Sequence, residues 1–297
     1  MKKLLALSLV IISIGCADKN KMKKDISAYQ AEEVPADTPL VFKEDLIPDD
    51  KIIHKGILSP DLQQYYYTLS EKDYSRFDVM MIQKTETGWS EPKPAFFNSN
   101  YSEHGMSFSP DGNSFYFSST RPLNKEGDPG IWHIWRSEKV SGKWSTPELI
   151  DIPNLKGRHM SHPTLSSSGN MYFHSSDPDY SNMHIYLAEP AGGKFGDAKK
   201  VLFNEKVQMD RCTPHISADE NYLVFAGIGE QLDLYICKKE KDGQWSEPQK
   251  LPEAINTQGQ GNPFITPDHQ FLFYTREDNS KNRWEVCWID ISAFTQK

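Results

Sequence analysis

Polar and apolar positions along the chain recur in one fixed order. Five times an apolar segment runs into a short turn: Ile57-Leu58-Ser59-Pro60-Asp61, Ser107-Phe108-Ser109-Pro110-Asp111-Gly112, Thr164-Leu165-Ser166-Ser167-Ser168-Gly169, His215-Ile216-Ser217-Ala218-Asp219 and Phe264-Ile265-Thr266-Pro267-Asp268. Proline presets one turn dihedral, and Asp and Gly tolerate the reversal that follows, so each predicts a hairpin. An aromatic run comes next in every copy: Tyr65-Tyr66-Tyr67, Phe115-Tyr116-Phe117, Met171-Tyr172-Phe173, Tyr222-Leu223-Val224-Phe225 and Phe271-Leu272-Phe273-Tyr274. A third segment opens on a polar residue and then alternates: Asp78-Val79-Met80, His133-Ile134-Trp135, His184-Ile185-Tyr186, Asp233-Leu234-Tyr235 and Glu285-Val286-Cys287. A fourth is reached through a glycine turn, as in Gly88-Trp89-Ser90-Glu91-Pro92, Gly142-Lys143-Trp144-Ser145-Thr146-Pro147, Gly193-Lys194-Phe195-Gly196-Asp197 and Gly243-Gln244-Trp245-Ser246-Glu247-Pro248. Alternation with period two, a glycine turn and a Pro-bearing edge together predict one four-stranded sheet per copy.

The copies are spaced by roughly 50 residues, within reach of propeller and kelch-type blades. The fifth stops after Trp284-Glu285-Val286-Cys287-Trp288-Ile289-Asp290 and lacks an outer strand. Its replacement is expected at the other end of the chain, where residues 38–48 follow the rhythm of residues 146–153. Ring closure of this kind hides sheet edges that would otherwise pair with other chains. The predicted fold is all-β: a β-propeller, five four-stranded blades closed by an N-terminal strand. Six blades is the alternative, if an irregular sheet lies within residues 17–50.

The Ser-Pro-Asp-Gly turn, the Phe-Tyr-Phe strand, the Asp/His-x-Tyr/Trp strand and the Trp-Ser-x-Pro outer strand resemble the PD40 (WD40-like) repeats of TolB-like propeller proteins. The resemblance covers residues 38 to 297. It is clearest in the second, fourth and fifth copies, while the third has lost Pro, Asp and Trp. It implies a β-propeller of the cell envelope. Some members act in protein assemblies at the outer membrane, and related propellers include carbohydrate-active enzymes. Repeats of this kind imply architecture more than activity.

Met1-Lys2-Lys3 is a short basic segment, and the apolar run from Leu4 to Ile14 is too short to span a bilayer. It ends at Ile14-Gly15-Cys16 and turns polar at once, which resembles a bacterial lipoprotein signal with Ser13 at a position usually held by Leu, Val or Ile. The expected organisation is a signal peptide at 1–15, lipid on Cys16, a flexible tether at 16–37 and one propeller domain at 38–297. Ala17 after the cysteine favours an outer-membrane destination. With Cys16 assigned to lipid, Cys212, Cys237 and Cys287 remain, an odd set read as buried thiols.

Aromatics make up 12% of the 297 residues, which suits pleated, half-buried surfaces. The net charge of −8 argues against a nucleic-acid partner, whose phosphates need a basic surface. Upstream of the five inner segments stand His54, Glu103, His104, Arg158, His159, His162, Asp210, Arg211 and Asn262. These side chains are expected to converge near the axis as ligand-binding candidates. Arg158 and Arg211 would suit an anion through paired hydrogen bonds. The loop from Arg121 to Gly130 is the longest insertion inside a blade and a second candidate for recognition.

The chain lacks the Gly-x-Ser-x-Gly, His-Glu-x-x-His, P-loop and dinucleotide motifs. Catalysis would need Glu103 and Asp210 as a carboxylate pair for glycoside hydrolysis, assisted by His104 and His162. No cofactor and no resident metal is assigned. The expected function is binding of an envelope protein, peptide or glycan at the channel mouth or rim, with membrane contact through the lipid anchor only. A carbohydrate-active hydrolase or lyase is the alternative.

Overall fold

The computed structural model describes residues 29–31, 33–123, 130–204 and 209–292. The signal segment, Cys16 and the tether up to residue 28 lie outside them, as do residues 124–129 of the long loop. The chain divides into a unit of residues 1–34 and a unit of residues 35–297. In the first, the described residues hold a short turn. Among the described residues no helix is long and apolar enough to cross a membrane.

The second unit is a ring of five antiparallel sheets. Its inner strands are Lys51–Leu58, Glu103–Phe108, His159–Leu165, Asp210–Ile216 and Gln260–Ile265, each touching the next and the last touching the first. Second strands follow at Gln64–Glu71, Ser114–Ser119, Met171–Ser176, Tyr222–Ile228 and Phe271–Asp278, and third strands at Phe77–Thr85, His133–Val140, His184–Ala188, Leu232–Lys238 and Arg283–Asp290. Four outer strands are two-residue edges: Lys93–Pro94, Glu148–Leu149, Lys199–Lys200 and Gln249–Lys250. Such short, charged edges leave little to template another chain.

The fifth outer strand is Leu40–Val41. It pairs antiparallel with the chain's last strand, Leu40 against Trp288 and Val41 against Cys287, and so closes the ring as expected. The next residue fastens it. Phe42 donates its N–H to the Val286 carbonyl at 2.8 Å, and its ring lies 4.8 Å from Phe273, 5.0 Å from Tyr65 and 5.5 Å from Trp288. One side chain thereby ties the first blade to the fifth.

The repeated turns are held by side chains. Ser59 donates to Asp61 at 2.5 Å, and Ser109 to Asp111, Ser217 to Asp219 and Thr266 to Asp268 at 2.6 Å each. Each aspartate also accepts the backbone N–H two residues on. The third blade has Ser168 where the others have Asp. Its carboxylate comes from the next blade: Glu220 accepts from Ser168 (2.6 Å), Asn170 (2.8 Å) and Lys239 (2.8 Å). Burial pushes the Glu220 carboxyl up, but the donors Lys239, Ser166, Ser168 and Asn170 outweigh it and bring it to about 2.

Apolar faces of neighbouring sheets make the core. Tyr116 and Ile134 pack on Met160 and Phe173, Ile185 on Phe225, and Val224 and Leu234 on Leu272 and Tyr274. Cys212, Cys237 and Cys287 are buried in these layers and form no disulfide among the described residues. Burial pushes Cys212 and Cys287 up to about 12, so both act as small apolar side chains.

A candidate binding site on the channel axis

Every inner strand carries one irregularity at the same place. Its register against the second strand shifts between Ile53 and Gly56, His104 and Ser107, Ser161 and Thr164, Cys212 and His215, and Gly261 and Phe264. Each shift contains the residue four positions before the turn serine or threonine: Lys55, Gly105, His162, Thr213 and Asn262. In blades two to five this residue has positive φ, at 57° for Gly105, 55° for His162, 46° for Thr213 and 55° for Asn262. Three non-glycine residues in that region, one of them β-branched, are held there by their surroundings at a cost in strain.

The five bulge residues meet on the axis and line a cavity of about 220 Å³. His54, Thr68, Tyr74, Phe77 and His104 complete its wall. Gly105 is required here, because a Cβ on it would lie 3.0 Å from the His162 ring. Tyr74, 51% exposed, stands at the rim with Phe77 beside the His54 ring.

One hydrogen-bond chain crosses three blades behind this cavity. Thr275 Oγ1 donates to the Gly261 carbonyl (3.1 Å), so it accepts from Asn262 Nδ2 (3.0 Å). Asn262 Oδ1 is thereby turned to His162 Nε2 at 2.9 Å, which assigns the proton to that nitrogen. Ser161 Oγ donates to Ser118 Oγ (3.1 Å), so it accepts from His104 Nε2 (2.8 Å), and it lies 3.1 Å from His162 Nδ1. His54 is fixed in the same way: Ser70 Oγ donates to the Glu71 carbonyl, so His54 Nε2 donates to Ser70 at 2.8 Å. All these imidazoles are neutral. Burial holds His54 down to about 4 and His174 to about 3, and burial with neighbouring positive groups holds His104 and His162 well below the usual range.

Lys55 stands apart. It is 1% exposed, and among the described residues its Nζ has no hydrogen-bond partner. Burial alone brings its amine down to about 7. No carboxylate lines the cavity among the described residues.

Of the residues singled out from sequence, His54, His104, His162 and Asn262 line this cavity, and the others do not. Glu103 is fully buried and accepts from Ser99, Ser119 and Arg121. Arg158 pairs with Asp177 and donates to Ser175 and the Asn182 carbonyl. His159 Nδ1 accepts the Trp132 N–H at 3.1 Å, and its ring stacks on Tyr180 at 4.4 Å. Arg211 is 2% exposed, its guanidinium 4.7 Å from the centre of the Phe203 ring. Asp210 is half-buried at the start of its strand, where its charge bears on His184. Lys55 and Thr213 were not anticipated, although counting four residues back from each turn serine or threonine finds both.

Among the described residues no group of three or more His, Cys, Asp or Glu is arranged to hold a metal ion. At the far end of the channel a second cavity of about 100 Å³ is mostly apolar, walled by Leu58, Pro60, Phe108, Pro110 and Phe264 with His215.

No family model matches the chain, and no curated protein does. Solved structures do resemble it. A protein described as a TolB from Agrobacterium tumefaciens superposes with a TM-score of 0.51 at 15% identity, over 82% of this chain and 78% of that one. A GH43 endo-arabinanase from Bacillus licheniformis gives 0.53 at 12% identity, over 82% and 94%. TolB from Acinetobacter baumannii gives 0.47 at 16% identity over 80% of this chain, which spans about half (54%) of that protein. Identities this low show a common ring fold, shared by TolB-like propellers and arabinanases alike.

Proposed function

We propose that this protein is a binding module of the bacterial cell envelope, held by lipid on Cys16 and engaging a small ligand group at the mouth of its channel. The ligand is a peptide or glycan, or part of one. The observation that supports this reading is the axial cavity. All five blades contribute to it through bulges, three of them with a non-glycine residue at positive φ; it has an aromatic rim, and among the described residues the Lys55 amine within it has no hydrogen-bond partner. Positions of this kind recur at ligand sites on rigid scaffolds. Neither Glu103 nor Asp210 lines the cavity, so no observation favours the hydrolase or lyase reading over binding.

Calorimetry with peptidoglycan fragments, envelope glycans and short peptides tests the site. Tyr74→Ala and His54→Ala are expected to weaken binding by about tenfold or more, and Tyr74→Ala to leave the fold intact, since that side chain is 51% exposed at the rim. Unchanged affinity in both variants would move the site elsewhere. Labelling with radioactive palmitate tests the anchor, with Cys16→Ala expected to abolish it.

A further inference from the structure

Lys55 projects from the first blade into a cavity whose other polar groups are already engaged. On its own strand it has His54, and across the axis His104 from the second blade, His162 and His174 from the third, and His215 from the fourth. The effect of its charge reaches His104, His162, His174 and His215. The fifth blade presents Asn262, whose oxygen faces His162 and whose amide nitrogen faces Thr275. Among the described residues nothing anionic lines the cavity around the amine. A buried ammonium without a counter-ion is costly, and a neutral amine in its place leaves hydrogen-bonding capacity unused.

We infer that Lys55 anchors a carboxylate of the ligand, and that a proton is loaded onto its amine when the carboxylate docks. This rests on the binding role proposed above and specifies the chemistry of that site. The step balances simply: the amine takes one proton from solvent, the carboxylate enters ionised, and a buried ammonium–carboxylate pair forms with no change in net charge of the cavity. Thr213 lies within the same wall, its hydroxyl oxygen accepting the Asn262 N–H at 3.2 Å. In the free protein the amine is brought to about 7 by burial, and a docked carboxylate must raise it. Affinity is therefore full below neutrality and falls as pH rises, by about tenfold per pH unit above 7.

The experiment uses four probes with the intact protein. D-glucuronate and N-acetyl-alanine carry the carboxylate on a sugar and on a peptide end, and D-glucose and N-acetyl-alaninamide are their neutral counterparts. Calorimetry at pH 8 in phosphate and in Tris, buffers of different ionisation heat, reads the protons taken up. The expected result is uptake of close to one proton with one acidic probe, at least about 30-fold tighter than its neutral counterpart. Lys55→Met should lose both the preference and the uptake, and Lys55→Arg should keep the preference without the uptake. Which acidic probe binds distinguishes a sugar acid from a peptide end. Equal affinity for the neutral partners, binding without proton uptake, or no binding by either acid overturns the inference. Binding of any probe that is lost in Tyr74→Ala but indifferent to Lys55→Met would overturn it while leaving the binding role standing.

Discussion

At the scale of single residues, burial of ionisable groups without counter-charges sets how this protein responds to pH. Lys55 has a native value near 7 against about 10.5 when exposed. Between these values the unfolded chain holds a proton that the native state has released. That difference opposes folding, fully below 7 and not at all above about 10.5. Lys55→Met is therefore expected to stabilise the protein at pH 7, by up to roughly 4–5 kcal/mol. Urea denaturation at pH 7 and pH 10 checks both size and sign, and the gain should shrink at the higher pH. The histidines follow the same rule in another window. His54 and His174, at about 4 and 3, and His104, His162 and His215 below their usual range, stay neutral while the unfolded chain protonates below 6.5. Stability should fall by at least about 2 kcal/mol between pH 6.5 and 5. A flat profile of urea midpoints would mean that these rings protonate freely in place. Sequence showed that histidines gather near the axis. It did not show Lys55, because which side chain points inward depends on a bulge that only strand pairing creates.

At the scale of elements, what was legible is what local chemistry dictates. The Ser/Thr-x-Asp turns and the aromatic strands could be read because each carries its own hydrogen bonds or its own alternation. Register was not legible. Residues six places before the turn serine or threonine are Ile53, Glu103, Met160, Arg211 and Gln260, and all are buried. Glu103 and Arg211 thus occupy a position that is buried in every blade and apolar in the first and third, which explains why two charged residues close to the axis in sequence face away from it. The third blade shows the reverse case, where a missing turn residue is supplied from outside. Glu220 of the fourth blade serves the third blade's turn, so Glu220→Gln should cost about 1–3 kcal/mol through donors left unsatisfied. Its contribution is present above pH 4.5 and is lost as pH falls toward 2. Chemical denaturation of the variant at pH 7 and pH 3 measures this. Equal destabilisation at both values would show that its charge is immaterial.

At the scale of the molecule, the ring depends on a latch of three residues at one end of the propeller sequence. Leu40 and Val41 supply an edge of only two paired residues, so most of the holding comes from the Phe42 ring among Tyr65, Phe273 and Trp288. Tyr65 belongs to the first blade and the other two to the fifth, so this ring spans the seam where the circle of blades closes. The latch was legible in sequence as a missing strand at one end and a spare one at the other, a matter of strand accounting rather than of packing. Its anchoring residue was not, since nothing in the pattern marks Phe42 above Leu40 or Val41. Phe42→Ala is expected to lower stability by about 3–5 kcal/mol, the range for truncating a buried phenylalanine. Its amide exchange should rise first in Arg283–Asp290, the strand left with a bare edge. A chain beginning at Lys43 loses the latch and should fall at least as far as Phe42→Ala. If the shorter chain melted unchanged, the seam would be held by the inner strands alone, and the axial cavity would owe nothing to closure at the rim.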